Sequence, residues 1–362
     1  ELKEIEEKYG DQRRTMIVPD EGEIDLEDLI VEEKMVITLT QQGYVKRQPL
    51  NTYRSQGRGG RGVMGHSIRE TDFIVQLFVS STRTKLLFFS NTGKVYPLKV
   101  YEIPEAGRQA RGTAIINLLP LDSGEYITAV FPLVEYDEED HIILATKNGL
   151  IKRTQLREYA EARRSGLIAI DLTAGDELIS VKRLSSDVDR DTGIESENNA
   201  ENAKGVFDET ADVLLATSGG MLIRFPAAQL RTLGRTARGV KGITLLEDEK
   251  VIGMSVVTGD NAALLFVTEN GFGKRTELSE FRSQNRGGRG VLAFKPSKRS
   301  GAMVSFMPVQ KKEEIIAITA RGLITRIKVS QIPIQKRYAG GVTLMRLAPE
   351  DKVVNVAVVA RE

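Results

Sequence analysis

The 362-residue chain has no cysteine, no tryptophan, only two histidines, His66 and His141, and few aromatic residues (6%). Without cysteine there is neither a disulfide framework nor a thiolate metal site, an economy that fits a reducing compartment and leads to the expectation of a cytoplasmic protein. Two histidines far apart in sequence provide no material for a histidine-based metal centre or a Ser-His-Asp triad. No run approaches the roughly 18 to 20 consecutive apolar residues of a membrane span, and the charged start, residues 1–10, has a helical pattern rather than that of a signal peptide. The Gly-rich strings lack the Gly-Lys-Ser/Thr ending of a phosphate-binding Walker loop. Few aromatics leave little platform on which single-stranded bases could stack. The expectation is a soluble domain with no catalytic residue, metal or cofactor of its own. At 41% apolar and 28% charged residues the chain can nonetheless bury a substantial core.

What is present is a repeat. A short apolar run ending in Thr or Ser, then two residues, then Gly, recurs at Thr40–Gly43, Ser90–Gly93, Thr146–Gly149, Thr217–Gly220, Thr268–Gly271 and Thr319–Gly322. The apolar run predicts a strand, and the Gly, free to take positive φ, predicts a tight hairpin into a second strand. Each unit continues through a polar segment into a short apolar pair, such as residues 114–116 or 292–294. It closes on a longer strand: 73–79, 126–131, 177–181, 251–257, 303–307 and 353–359. Four antiparallel strands per unit of about 50 residues are the arithmetic of propeller blades, which bury their faces only by stacking on neighbours. The predicted fold is therefore all-β, a six-bladed propeller-like ring over residues 34–360. It is preceded by the end of a helix (1–14) and an acidic linker (15–33), and it carries an acidic insertion at 185–212. Linker and insertion could compete with a polyanion for basic residues elsewhere.

The overall charge of +1 hides an uneven distribution. The six windows running from each hairpin Gly to the position nineteen later carry +21 between them, so the rest of the chain carries −20. Fifteen residues past each Gly stands an arginine: Arg58, Arg108, Arg164, Arg235, Arg286 and Arg337. Three further on, Arg61, Arg111, Arg238 and Arg289 repeat the pattern, and Gly follows at 62, 112, 239, 290 and 341. Equivalent positions of a propeller lie on one circle, so these arginines predict a basic rim. Lys46 and Arg47, on the strand leaving the first hairpin, are counted with it. Cations on Gly-containing turns around a ring suit a wrapped double-stranded DNA, whose bending costs about 1 to 6 kcal/mol per 20 to 30 base pairs and needs many distributed phosphate contacts to offset it. A propeller scaffold for acidic protein partners is the rival reading, and a protein scaffold has no evident need of arginine at one phase in six units.

The densest string is Gln56-Gly57-Arg58-Gly59-Gly60-Arg61-Gly62, with a similar one at 284–290. Together with the lead-in Tyr9-Gly10-Asp11-Gln12-Arg13-Arg14-Thr15, these residues resemble the C-terminal domain of the DNA gyrase A subunit over essentially the whole chain. That family carries a Gln-Arg-Arg-Gly-Gly-Lys/Arg-Gly box in its first blade, which residues 56–62 match except that Gly57 replaces the first Arg. The resemblance implies a β-pinwheel that wraps DNA around its rim so that the enzyme introduces negative supercoils. It implies as partners the breakage-reunion region in the same chain and the gyrase B subunit in an A2B2 heterotetramer, with ATP and magnesium used elsewhere in the holoenzyme and the isolated domain monomeric. The corresponding C-terminal domain of topoisomerase IV, which lacks an intact box, is the alternative. None of the nine tyrosines sits in a motif matching the strand-cleaving tyrosine of type II topoisomerases.

Overall fold

The computed structural model describes residues 1–11, 29–50, 74–107, 110–133, 140–184, 211–259, 262–321 and 323–359. The expected lead-in helix is present as Leu2–Tyr9, closed by a hydrogen bond from the Gly10 amide to Glu6 O. The box at 56–62, Arg108, most of the linker and residues 185–210 of the acidic insertion lie outside the described residues. Ala211 and Asp212, assigned to that insertion from sequence, instead open a strand.

Six hairpins form the frame. They pair Lys34–Thr40 with Tyr44–Pro49, Lys85–Ser90 with Lys94–Lys99, His141–Thr146 with Leu150–Gln155, Ala211–Thr217 with Met221–Pro226, Ala263–Thr268 with Phe272–Glu277, and Glu314–Thr319 with Ile324–Lys328. The Thr/Ser and Gly of the repeated motif have separate tasks. The Gly amide closes the turn onto the Thr or Ser carbonyl, at 3.0 Å for Gly43, and Gly43, Gly93, Gly149, Gly220 and Gly271 all have φ between 77° and 87°. The hydroxyl then accepts from the amide after the Gly, as in Tyr44 N to Thr40 Oγ1 at 3.1 Å and Leu150 N to Thr146 Oγ1 at 3.2 Å. At this Thr or Ser the pairing on the other side of the first strand, away from the hairpin, also slips register, in blade after blade.

The long closing strands, Ile74–Ser81, Ile127–Leu133, Leu178–Leu184, Val251–Thr258, Met303–Val309 and Val353–Val359, pair with the first strand of their own hairpin. Contacts between such strands of consecutive blades place them innermost. The outermost strand comes from elsewhere. Thr113–Ala114 pairs with Tyr44–Val45 of blade 1, although it belongs to the unit of blade 2. Leu167–Ile168, Val240–Lys241, Val291–Leu292 and Val342–Thr343 likewise complete blades 2, 3, 4 and 5. Blades 1 to 5 are thus four-stranded by exchange between units, and blade 6 has three strands among the described residues. These donated strands lie one residue earlier than expected, because after Ala114 the chain turns so that the Ile115 amide meets Gly43 O at 2.8 Å and the Ile115 side chain enters the core.

Apolar burial follows the same logic. Five clusters fill the spaces between consecutive blades; that between blades 1 and 2 includes Met35, Phe78, Phe88, Tyr96 and Ile103, and that between blades 4 and 5 includes Leu214, Phe266, Phe281 and Phe306. Similar clusters join blades 2 to 3, 3 to 4 and 5 to 6. At about 25 cal/mol per Å² of apolar area removed from water, this burial is the main cohesive term.

Candidate nucleic-acid interface

Each candidate loop lies between the second hairpin strand and the short strand that its unit donates, on the outer edge of the ring. A glycine just before the donated strand fixes how closely it approaches. In unit 4, Gly239 has φ 96°, and a Cβ there would stand 2.6 Å from Ile151 O of the preceding blade. Gly112, Gly290 and Gly341 are crowded by strand backbone in the same way. These glycines are required by inward packing.

The arginines fifteen past the hairpin Gly have a mixed role. Arg235, Arg286 and Arg337 are half-buried, and each donates one Nη1 hydrogen to the carbonyl of a donated strand: Ile168 O at 3.0 Å, Lys241 O at 3.1 Å and Leu292 O at 3.3 Å. Arg286 also donates Nε to Gln229 O at 3.3 Å and Arg337 an Nη2 hydrogen to Tyr338 Oη at 3.4 Å, and because a guanidinium carries five N–H donors, donors remain on each for another acceptor. Arg164 is exposed and pairs with Glu102. Three residues on, Arg111, Arg238 and Arg289 are exposed; Arg111 lies over the Tyr44 ring at 3.8 Å and reaches Gln42, and Arg238 meets Asp171 at 2.6 Å.

Lys46 and Arg47 leave the rim. Lys46 is 1% exposed and points its amine at Gly107 O (3.2 Å) and Ala110 O (3.1 Å). Arg47 donates Nε to Ile103 O at 2.6 Å, and the Arg at the same phase does likewise in later units: Arg153 to Leu230 O, Arg224 to Phe281 O and Arg275 Nε to Ile332 O at 2.7 Å. These side chains latch one blade to the next. Pro97 breaks the series, and there Lys85 reaches Ala160 O at 2.9 Å.

Two features were missed from sequence. Lys152 and Lys274 share the phase of Lys46, are fully buried, and point their amines at loop carbonyls: Lys152 at Ala169 O, Gly234 O and Arg235 O, Lys274 at Lys336 O (2.8 Å) and Arg337 O (2.6 Å). Burial pushes both ammonium groups down to about 8, with Glu158 pulling up and Arg235 pushing down at Lys152, and Arg337 pushing down and Glu280 pulling up at Lys274. A lysine three past the hairpin Gly in alternate units, where the other units have Tyr96, Ile223 and Thr325, was the available signal. The second feature is a polar acceptor nine past the Gly, which receives the next unit's loop: Glu158 accepts from the Arg235 amide at 2.7 Å and Gln229 from the Arg286 amide at 2.9 Å. No group of His, Asp and Glu suited to a metal occurs among the described residues. His141 is buried beside Arg153 and Thr232.

The molecule is thus a six-bladed β-propeller whose units exchange their outer strands and whose outer loops are basic. The family model for the DNA gyrase C-terminal domain, β-propeller, matches residues 34–81, 84–133, 140–185, 211–258, 262–310 and 313–360, one segment per blade. The chain belongs to this family. It is 44% identical over 362 residues to the DNA gyrase A subunit of Clostridium acetobutylicum, covering all of this chain and 41% of that protein. It is 40% identical over 360 residues to the DNA gyrase A subunit of Salmonella typhimurium, covering 99% of this chain and 38% of that protein. Among solved structures it resembles the C-terminal domain of DNA topoisomerase IV (TM-score 0.76, 25% identity, 91% of this chain and 94% of the other). It also resembles a DNA gyrase A C-terminal domain (TM-score 0.65, 26% identity, 91% and 100%). The chain spans about two fifths of the length of these gyrase proteins. No helix among the described residues is long and apolar enough to cross a membrane.

Proposed function

We propose that the outer loops bind, bend and wrap double-stranded DNA, and that the domain serves a gyrase by presenting a wrapped segment for strand passage into negative supercoils. The observation that carries this reading is an arginine at one phase of every unit. In units 4 and 6 one N–H ties that arginine to the neighbouring blade and in unit 5 two do, through Nη1 and Nε; even with the Arg337 Nη2 contact to its own neighbour Tyr338, at least three of the five donors on each are left for a further acceptor. Arginine forks fixed on a rigid edge suit phosphate, which they engage with two parallel hydrogen bonds. The path proposed runs from Gln56, Arg58, Gly59, Gly60, Arg61 and Gly62 through Arg108, Arg111 and Arg164 to Arg235, Arg238, Arg286, Arg289 and Arg337.

The finer assignments are part of the same reading: a breakage-reunion region in the same chain, a gyrase B subunit in an A2B2 assembly, ATP and magnesium used outside this domain, a cytoplasmic setting and a monomeric isolated domain. The TM-score of 0.76 favours the topoisomerase IV alternative, whereas the gyrase A sequences at 40% and 44% identity favour gyrase. The test is to bind the chain to nicked circular DNA, ligate, remove protein and read the linking number. A positive shift that disappears in the Arg58→Ala, Arg61→Ala double variant is expected. Salt-sensitive binding with no shift sinks the wrapping reading and moves topoisomerase IV ahead.

A further inference from the structure

The loops of the rim are of two kinds, and the difference originates beneath them. Those of units 2, 4 and 6 rest on Lys46, Lys152 and Lys274 of the preceding blade. At the same position the other blades have Tyr96, Ile223 and Thr325. Tyr96 turns its hydroxyl to Glu125 at 3.0 Å and presents its ring to Gly166, so it offers the loop of unit 3 no cation.

A buried ammonium acts here through the geometry of the peptide bond. In a trans peptide the carbonyl and the following N–H point to opposite sides. Lys152 holds the Gly234 and Arg235 carbonyls inward, which turns the Arg235 and Thr236 amides outward; Lys274 does the same for the amides of Arg337 and Tyr338. The turns are closed by Ala237 N to Gly234 O at 3.1 Å and Ala339 N to Lys336 O at 3.0 Å. Consecutive outward amides make a concavity for an anion. One anion is already there, since the Glu158 carboxylate accepts from the Arg235 amide at 2.7 Å.

We propose that Lys46, Lys152 and Lys274 are positioning residues for phosphate contact. Sealed under alternate loops, each holds its turn carbonyl-inward, so that a DNA phosphate is received in unit 6 by the paired amides of Arg337 and Tyr338 and in unit 4 by the Thr236 amide beside the Arg235 guanidinium, the Arg235 amide being held by Glu158. This rests on the reading of the rim as a duplex-binding surface. The low proton affinity of Lys152 and Lys274 supports it and provides a handle. The charged and titratable groups that face them are Glu158, Arg235 and Tyr159 around Lys152, and Arg337 and Glu280 around Lys274. The Phe294 ring lies 5.4 Å from the Lys274 amine.

The experiment measures duplex affinity of the chain, acetylated at its α-amino group, by fluorescence anisotropy at fixed salt from pH 7.5 to 9.5, with thermal stability alongside. Loss of the ammonium protons releases the turns, so affinity is expected to fall as pH passes about 8. A folded-state value below the ordinary 10.5 means that the unfolded chain holds more protons between about 8 and 10.5, so these lysines make stability rise with pH in that window. Falling affinity without falling stability is the expected signature, and flat affinity overturns the proposal. In the Lys152→Met, Lys274→Met double variant the slope of log affinity against log salt is expected to shrink by about 1.8, or 0.9 for each phosphate no longer engaged. An unchanged slope in a folded variant also overturns it, and if the variant does not fold the pH series decides. If the unmodified chain shows no salt-dependent duplex binding at all, the duplex reading itself fails.

Discussion

Among the described residues, five of the six joints between blades share one build, and the joint between blade 6 and blade 1 shows another. At each of the five, the later unit donates a short strand to the earlier blade and a cluster of buried apolar side chains fills the gap. At four of the five an arginine also latches onto the next unit. At the sixth, the described residues contribute the hydrogen bond from Asn355 Nδ2 to Gln41 Oε1 at 2.7 Å, and no apolar cluster of theirs spans it. Joints between units adjacent in sequence need little loop closure, whereas the last joint brings together residues 314 apart and bears a larger entropic cost. Among the described residues, then, the ring is a chain of interlocked links with one clasp.

The contrast can be broken from its strong side first. Phe266→Ala, in the joint of blades 4 and 5 with its ring 5.8 Å from that of Phe281, is expected to cost about 3 to 5 kcal/mol in urea unfolding. A much smaller loss means that the cluster does not hold that joint. Next comes Gly239→Ala, at about 1 to 3 kcal/mol, since the new methyl meets Ile151 O in a left-handed backbone. Gly175→Ala, with positive φ but nothing within 4 Å, separates the two causes by retaining only the backbone part in the same measurement. At the clasp, Gln41→Ala is expected to cost about 0.5 to 1.5 kcal/mol; a loss equal to that of Phe266→Ala erases the distinction between the joints. Smallest is Arg238→Ala, whose partner Asp171 is exposed, so calorimetry should show a change of about 0 to 1 kcal/mol while duplex affinity weakens. Unchanged affinity removes Arg238 from the proposed path.

The hairpins, the sixfold count and the phase of the rim arginines were legible because each is a local pattern repeated in step. Strand exchange was not legible, since a two-residue strand such as Val240–Lys241 carries no periodicity that says which sheet it joins. Lys46 and Arg47 were misplaced for a related reason. A cation read by type alone counts as exposed, yet Lys46 sits on a buried strand face where carbonyls of the next unit replace water around its amine. The glycines before the donated strands were legible by position but not by their packing, because the Ile151 carbonyl that crowds Gly239 lies in another unit and 88 residues away. What one sequence conceals here is contact between repeats.

The donated strands make the molecule hard to take apart by cutting. A protease nick between Leu184 and Ala211 would separate units 3 and 4 covalently, but Val240–Lys241 of the second fragment would remain threaded as the outer strand of blade 3. Lys152 and Arg153 of the first fragment would still grip Gly234 and Leu230 of the second. Two halves expressed as separate polypeptides should therefore find each other, because the first half ends in a vacancy beside Leu150–Ile151 that Val240–Lys241 of the second half fills.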